Sequence, residues 1–421
     1  MKIERKSGQG TFVCQIPEKE RRMSVIPARD PRALNALVLA EAVFEIEKAA
    51  RRMPVRTAEI PLFEPISLGY DLAAIRHTIH ELLIFVLVED IDIRFKALRM
   101  EGAENTSGAA FNKSANVCLF SGGIDSYVGV LVGKEKLGEL EAVFYAHSDQ
   151  SKTIHLVHRM QRNQLSKAGI PLHKVGVPSI QAQGYAQLRG FLYTVASAAW
   201  MHVLKADKLV VTECGPTMYQ PRFSPFDLIT MTTHPVVLGC ARQVISSLLG
   251  REVQIIKPFE NLTKAEVMAI SPDKDQLKIT HSCISQRFGS HDGTCYGCVI
   301  RRLAGIAAGI RDAKYEKNPL VDARARSGNL FALLTYCFNI LTDYSNMEDF
   351  ETETIEIYGK QDLFRRFALD NFAAVHRLIL EGHRVQRPIR AMYEELISVI
   401  GTADLDGRLA ALRAGRFSPQ F

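Results

Sequence analysis

The sequence has no long apolar run, little net charge and few aromatic residues. These absences disfavour particular classes of protein. Its longest apolar run, residues 82–88, is far shorter than the roughly 20 residues that span a bilayer. The first residues lack the apolar core and cleavage site of a signal peptide. The net charge is only +6, whereas a dedicated nucleic-acid binder usually carries a dense basic stripe. We therefore expect a soluble, cytoplasmic protein with no membrane partner, and nucleic acid is a disfavoured partner that the composition does not exclude.

Length and composition predict a globular protein of two or three domains, since the chain has 421 residues, 47% of them hydrophobic. Residues 1–114 combine one short strand candidate with two helical patterns and end in a polar loop, so we predict an N-terminal α+β accessory region without chemistry. Residues 312–421 carry apolar residues at helical spacing and predict a helical C-terminal region. Its basic residues Arg384, Arg387 and Arg390 are more simply a solvated face than a partner surface.

Residues 115–311 alternate short apolar runs with helix-length segments. The runs at 117–120, 142–146, 172–177, 208–212 and 253–256 are predicted strands, separated by predicted helices at 126–137, 154–168, 190–205 and 236–249. Such alternation predicts an α/β fold, a doubly wound parallel sheet with helices on both faces. Ligands bind beyond the carboxyl ends of the strands in such sheets, so we expect the functional residues there.

A glycine-containing loop follows the first of these strands and opens a helix. Its sequence is Ser121-Gly122-Gly123-Ile124-Asp125-Ser126. Glycines let backbone N–H groups approach phosphate oxygens, and the helix N-terminus adds the positive end of its dipole. Ser121 and Ser126 offer hydroxyl groups, and Asp125 offers a carboxylate for Mg²⁺. The Gly-x-x-x-x-Gly-Lys-Ser spacing of a Walker loop is absent, which argues against a kinase or a motor ATPase.

This loop resembles the PP-loop of a family of ATP pyrophosphatases that includes GMP synthetase, NAD synthetase and tRNA-modifying enzymes. In that family the loop binds pyrophosphate while AMP is transferred to a carboxylate, carbonyl or ureido oxygen. The resemblance implies ATP and Mg²⁺ as ligands, contacts from Phe120 through Ser126, and catalytic roles for Ser121, Asp125 and Ser126. Lys264 follows the last predicted strand, where the family often has a lysine that meets the phosphates, and its charge suits that role.

Three of the eight cysteines lie close together in the sequence and predict a metal site. Cys295 and Cys298 have the two-residue spacing that lets two thiolates bind one zinc, and Cys283 precedes them. Asp292 or its neighbour His291 completes a set of four ligands, since both side chains are acceptable to zinc. In a chain without an export signal, clustered cysteines indicate Zn²⁺ rather than disulfide bonds. We expect this zinc site to be structural.

The order of these motifs resembles 7-cyano-7-deazaguanine synthase, a PP-loop enzyme of queuosine biosynthesis. The shared layout is a PP-loop, Thr-Lys-x-Glu, a four-ligand cysteine motif and an Arg-Arg pair, and it runs here from Phe120 to Arg301 and Arg302. Asp292 stands where that family has its second cysteine. The family uses ATP and ammonia to convert 7-carboxy-7-deazaguanine into an amide and then a nitrile. The resemblance implies an ATP-dependent carbon–nitrogen ligase acting on a deazapurine carboxylate.

Two further segments, residues 211–215 and 231–235, resemble the relatives of this synthase in Qat-type anti-phage cassettes, and residues 147–150 also fit that branch. Glu213 is predicted either to accept hydrogen bonds from a purine-like edge or to cap a loop. His234 is predicted either to contact a substrate carboxylate or act as a general base, or to be a satisfied turn residue. Cys214 has no feature that would lower its pKa, so it is a poor nucleophile candidate. The resemblance implies a role in phage defence, with other defence proteins as acceptors or complex partners.

Two alternatives remain at this point. A PP-loop tRNA-modifying enzyme would carry the same loop, although no RNA-binding module is evident. A catalytically silent scaffold in a defence complex would keep nucleotide binding and lose turnover. The sequence does not identify the nitrogen nucleophile, the oligomeric state or the role of the terminal regions.

Overall fold

A computed structural model describes residues 11–14, 30–64, 66–99, 115–146, 152–176, 187–219, 231–283, 290–342 and 355–421. Residues 147–150, which the sequence assigned to the Qat-like branch, and the polar loop at 101–114 lie outside the described residues. Within the described ranges, no helix combines the length and the apolar character needed to cross a membrane.

The N-terminal region forms a parallel sheet with one helix between successive strands. The strands are β1 (Thr11–Val13), β2 (Thr57–Phe63) and β3 (Asp92–Leu98), and the helices are α1 (Pro31–Ala50) and α2 (Leu72–Leu87). The strands pair side by side in chain order, all parallel. The α+β arrangement expected for this region is therefore replaced by an α/β one. Each helix returns the chain to the starting edge of the sheet, which makes the next strand parallel.

The central sheet has five parallel strands, which confirms the predicted α/β fold with a parallel sheet. They are β4 (Asn116–Leu119), β5 (Leu140–Tyr145), β6 (Leu172–Val175), β7 (Lys208–Val210) and β8 (Gln254–Ile256). The strand order is β6-β5-β4-β7-β8. The chain therefore moves outward from β4 to β6 and then returns to place β7 on the other side of β4. The loops that follow β4 and β7 diverge at this point, which opens a crevice between them.

Helices fill the connections of this sheet. They are α3 (Ile124–Leu137), α4 (Lys152–Lys167), α5 (Arg189–Val203), the short α6 (Gly215–Tyr219), α7 (Pro235–Leu249), α8 (Lys264–Ala269) and α9 (Tyr296–Ala308). Helix α3 packs with α8, while α5 packs with α7 and along α1. Because right-handed crossovers that run in opposite directions along a sheet lie on opposite faces, α3 and α5 cover different faces.

From Gly328 onward, the described residues of the C-terminal region are mostly helical. Its helices are α10 (Gly328–Thr342), α11 (Gln361–Leu380), α12 (Arg387–Ile400) and α13 (Ala403–Ala414). One continuous hydrophobic core contains residues of the N-terminal, central and C-terminal regions. The three regions therefore pack as a unit, and the boundaries predicted at residues 114 and 311 remain predictions.

A buried charge network joins the C-terminal helices to the start of α8. Arg408 of α13 donates to Asp370 of α11 at 2.6 Å and to Glu266 of α8 at 2.7 Å. Glu266 and Thr263 form a capping box at the start of α8, and the Thr263 hydroxyl also donates to Asp370 at 2.5 Å. These contacts satisfy the first N–H groups of α8 and hold its first residue, Lys264, in place.

Candidate nucleotide and metal sites

A cavity of about 500 Å³ lies at the carboxyl ends of β4, β5 and β7, in the crevice of the central sheet. Its size is that of a small-molecule binding site. The predicted phosphate loop, the first residues of α5, α8 and α9, and the segment before α7 form its walls. Ser121, Asp125, Ser126, Glu213 and Lys264 all line it. The structure thus brings most of the predicted nucleotide-site residues to one place, where the sheet topology favours ligand binding.

Gly122 gives the phosphate loop its shape. Its φ of +85° lies in the left-handed region, and an added Cβ would lie 3.1 Å from both His158 and Gln161. Its carbonyl oxygen accepts hydrogen bonds from the Gln161 Nε2 and from the His281 backbone N–H, each at 2.9 Å. A side chain at this position would therefore be strained and would displace the residues that hold the loop.

The loop's N–H groups and serine hydroxyls bond to one another. The Gly122 N–H donates to the Ser126 Oγ at 3.2 Å, and the Gly123 N–H donates to the Ser121 Oγ at 3.3 Å. Both bonds are at the long end of the usual range. Gly123 precedes α3 without a side-chain cap, so the first turn of α3 keeps N–H groups that no cap residue occupies. Phosphate oxygens can replace the hydroxyls as acceptors here, as at other helix N-termini.

Lys264 and two carboxylates meet beside the loop. The Lys264 Nζ lies 2.7 Å from the Asp125 Oδ2, and both side chains are largely buried. Among the described residues the buried Asp125 Oδ1 has no hydrogen-bond partner, and the carboxylates of Asp125 and Glu213 lie within 4.8 Å of each other. Burial, followed by the negative charge of Asp125, raises the pKa of Glu213 to about 7. Two close carboxylate groups with an unsatisfied oxygen fit a divalent cation that prefers oxygen ligands.

Glu213 thus lies beside Asp125 in the cavity, and its predicted contact with a purine-like edge remains a prediction. The next residue, Cys214, donates its backbone N–H to the Asp125 Oδ2 at 3.4 Å. Burial, followed by the charge of Asp125, raises the pKa of the Cys214 thiol. The thiol therefore stays protonated, and this agrees with the prediction that Cys214 is a poor nucleophile candidate.

His234 does not line the cavity. Its Nδ1 accepts a hydrogen bond from the Val236 N–H at 3.3 Å and caps the start of α7, and its ring packs against Phe85 at a centroid distance of 5.3 Å. Burial lowers the pKa of His234 to about 4, so the ring is neutral at pH 7. The two preceding residues, Thr232 and Thr233, line the cavity instead. The geometry favours the interpretation of His234 as a satisfied turn residue.

The N-terminal region shapes the cavity, although its sequence indicated no chemistry. The buried Glu47 of α1 accepts the backbone N–H groups of Gln187 and Leu188, at 2.5 and 2.8 Å, just before α5 begins. Glu41 of the same helix accepts the hydroxyl of Tyr145, a cavity residue, at 2.9 Å. These contacts fix the start of α5 and therefore Arg189, a cavity residue that no sequence motif marked.

The predicted zinc ligands come together in the structure. Ligand atoms of Cys283, Asp292, Cys295 and Cys298 all lie within 4.8 Å of one another, and the three thiols are buried. His291 is not in this group, and its Nε2 accepts the Ser282 N–H at 3.3 Å. Of the two candidates for the fourth ligand, the structure therefore places Asp292 in the group. Three thiols and one carboxylate are a suitable donor set for zinc.

A buried arginine connects this cluster to the phosphate loop. Arg301 of α9 is fully buried and pairs with Asp312, at 2.7 Å from its Nη2. Its Nη1 also donates to the Thr280 carbonyl oxygen at 2.9 Å. The next residue, His281, donates its N–H to the Gly122 carbonyl. The segment between loop and cluster is thus held at both ends, and a metal in the cluster would stabilise the loop indirectly.

No protein-family model matches the chain, and no curated protein matches it. Among solved structures, the chain is similar to a 4-thiouridine synthetase in a complex with RNA and bound ATP, at 14% sequence identity and a TM-score of 0.28. The match covers 58% of this chain and 64% of that one, so it spans less than two thirds of the neighbour's length. A similarity of this size does not bear on function, which rests on the geometry of the site.

Proposed function

We propose that this protein is an ATP-dependent, AMP-forming ligase of the PP-loop class that adenylates a carboxylate and passes the acyl group to a nitrogen nucleophile. The observation that carries the proposal is the meeting of the uncapped α3 N-terminus with the Lys264–Asp125 pair, whose charged atoms lie 2.7 Å apart. The lysine comes from α8 and not from within the glycine loop, unlike the lysine of a Walker loop. This arrangement supports binding of a leaving pyrophosphate.

The residues fit Mg²⁺-ATP. Asp125 and Glu213 would hold the cation, which supplies charge neutralisation between phosphate oxygens and carboxylates. The N–H groups of Gly122 and Gly123 would donate to phosphate oxygens in place of the serine hydroxyls. Burial alone would lower the pKa of Lys264, but the charge of Asp125 raises it, so the lysine stays charged for the phosphates.

The proposed reaction has two steps. A carboxylate oxygen of the substrate attacks the α-phosphorus of ATP, and the bond from this phosphorus to the bridging oxygen breaks, which releases pyrophosphate. Lys264 and the loop N–H groups stabilise the charge that develops on the pyrophosphate. A nitrogen nucleophile then attacks the acyl carbon, loses a proton, and displaces AMP with the electron pair of the C–O bond.

The proposed substrate is 7-carboxy-7-deazaguanine, the product an amide or, after a second adenylation, a nitrile, and the proposed setting is phage defence. The order of the loop, the Thr-Lys-x-Glu segment and the cysteine cluster supports this choice. We also propose that Zn²⁺, bound by Cys283, Asp292, Cys295 and Cys298, has a structural role. A protein of the same defence system would serve as acceptor or partner.

A product analysis tests the proposal. The protein is incubated with Mg²⁺-ATP and 7-carboxy-7-deazaguanine, with and without ammonium, and nucleotides and bases are followed by mass spectrometry. We expect AMP, pyrophosphate and a new amide or nitrile, and all three should disappear in Asp125→Ala. ADP as the nucleotide product would contradict an AMP-forming ligase. ATP binding without any turnover would instead support a nucleotide-binding scaffold, and turnover that requires tRNA would support an RNA-modifying enzyme.

A further inference from the structure

We infer that the end of the cavity next to α5 is the subsite for the substrate's carboxylate group, formed by Arg189 and the hydroxyls of Thr194, Thr232 and Thr233. The inference rests on the proposed function and adds the residues that would recognise the acylated substrate. Thr232 and Thr233 lie in the segment 231–235 that the sequence analysis singled out for His234, whereas no motif marked Arg189 or Thr194.

Arg189 is the first residue of α5 and lines the cavity, half-buried. Within the part of the chain that the structure describes, it has neither an ion pair nor a hydrogen bond from its side chain. By contrast, the buried Arg301 and Arg408 are each paired with carboxylates. A guanidinium carries five donors in a planar fork, so this one is free to bind an anionic ligand.

Three threonine hydroxyls in the same cavity as Arg189 are also without partners among the described residues. The Oγ1 atoms of Thr194, Thr232 and Thr233 are buried and make no hydrogen bond in the described residues. Thr194 is 0% exposed and Thr233 is 7% exposed, and all three residues line the same cavity. A buried hydroxyl without a partner destabilises the fold, because it has lost its hydrogen bonds to water without gaining others. Three of them in one cavity, next to an unpaired arginine, indicate a site built for a ligand with acceptor oxygens.

The backbone brings these groups together. An added Cβ at Gly190 would lie 1.4 Å from the Thr232 carbonyl oxygen, so only glycine lets the first turn of α5 pack against this segment. Glu47 holds the chain just before α5, and no side chain of Leu188 caps the helix. The Glu47 carboxylate offsets part of the positive dipole end of this 15-residue helix, and the charge of Arg189, its first residue, lies beside it.

The chemistry favours a carboxylate over a nucleotide phosphate at this position. The α3 N-terminus and Lys264 already offer phosphate donors elsewhere in the lining of the cavity. Arginine pairs with a carboxylate through two parallel hydrogen bonds. Hydroxyl donors can then satisfy the remaining lone pairs of the carboxylate oxygens. A carboxylate held here would also be oriented before it attacks the α-phosphorus.

Calorimetric titrations test the inference. Wild-type protein, Arg189→Gln and Thr233→Val are titrated with 7-carboxy-7-deazaguanine, with 7-deazaguanine, which lacks the carboxylate, and with α,β-methylene-ATP. Arg242→Gln is the matched control, because Arg242 is exposed on α7 and does not line the cavity. We expect Arg189→Gln to weaken binding of the carboxylate probe about 10- to 100-fold, as for loss of a hydrogen bond to a charged group. Thr233→Val should weaken it about fivefold, and both variants should bind the ATP analogue and 7-deazaguanine like the wild type.

The other outcomes overturn the inference. Equal loss of affinity for the ATP analogue in Arg189→Gln would assign the subsite to nucleotide phosphates. Unchanged affinity for the carboxylate probe, or a wild type that binds 7-deazaguanine equally well, would show that no carboxylate is recognised there. The carboxylate probe is titrated in the absence of the ATP analogue, so that a failure of ATP binding, which removes the proposed function, still leaves the subsite tested.

Discussion

Replacing Lys264 with methionine removes the charge next to Asp125 while keeping a side chain of similar length. The Lys264 side chain is 15% exposed and the Asp125 side chain 7%, and their charged atoms lie 2.7 Å apart. Loss of one preorganised donor to a charge that develops in the transition state typically costs about 2.7–4 kcal/mol, a factor of about 10² to 10³ in rate. We therefore expect AMP formation by Lys264→Met to be about 10² to 10³ times slower than in the wild type, in rapid-quench single-turnover assays at saturating Mg²⁺-ATP.

The same substitution leaves two close carboxylates without their cation. Breaking a buried ion pair costs roughly 3–5 kcal/mol, so without divalent cations the free energy of unfolding in urea should fall by up to this amount. Mg²⁺ should recover part of the loss, because Asp125 and Glu213 would bind it. The control is Lys257→Met, since Lys257 pairs with Glu260 at 2.8 Å and does not line the cavity. A rate for Lys264→Met within threefold of the Lys257→Met rate would refute the assignment of this lysine to the pyrophosphate.

Three further predictions concern the metal cluster, the cap of α7 and the phosphate loop. The wild type should bind one zinc per chain in elemental analysis. Cys295→Ser should lose this zinc, whereas the control Cys240→Ser, outside the cluster, should keep it. Equal zinc content in the two variants would contradict the assignment of the cluster as the zinc site. Burial lowers the pKa of His234 from 6.5 to about 4, so the unfolded state binds the extra proton in this window and stability is lost as the pH falls from 6.5 towards 4. His234→Asn keeps a cap acceptor and should flatten this part of the pH profile of the urea midpoint, while identical profiles would rule the histidine out as its source. Gly122→Ala should bind ATP about tenfold more weakly by calorimetry, because a left-handed φ costs an alanine roughly 1–2 kcal/mol, and unchanged affinity would mean that the loop shape does not matter.

The phosphate loop could be predicted because its residues are contiguous. A buried strand, two glycines and a helix start follow one another between Phe120 and Ser126, so local rules suffice to place them at a sheet edge. The five strands of the central sheet were predicted for a related reason. Buried parallel strands appear as short apolar runs, and each run in residues 115–311 corresponds to one of them.

The N-terminal strands were harder to predict. Strand β2 is the middle strand of its sheet, yet it contains Pro61, which cannot donate a hydrogen bond to the ladder and argues locally against a strand. Strand β3 is largely exposed, so it lacks the apolar run of a buried strand. Both strands therefore form because of tertiary packing. Local sequence patterns do not reveal that packing.

The α5 end of the cavity could not be predicted from sequence. Arg189 and Thr232 are far apart in the chain, and they meet only because Gly190 permits a close backbone approach. The sequence analysis instead singled out His234, two residues beyond Thr232, because an imidazole can act as an acid or base near neutral pH and a threonine hydroxyl cannot. Its capping bond to α7 is a consequence of the helix start at Pro235, and it turns the ring away from the cavity.

The most direct test of the central claim follows the oxygen atoms of the carboxylate. Attack on the α-phosphorus places one substrate oxygen in AMP, whereas attack on the γ-phosphorus would place it in inorganic phosphate. The protein is incubated with Mg²⁺-ATP, ammonium and 7-carboxy-7-deazaguanine labelled with ¹⁸O in both carboxylate positions, and the products are analysed by mass spectrometry. The account predicts AMP with one ¹⁸O and unlabelled pyrophosphate. Turnover that yields unlabelled AMP, or ¹⁸O in inorganic phosphate, would contradict adenylation of the carboxylate.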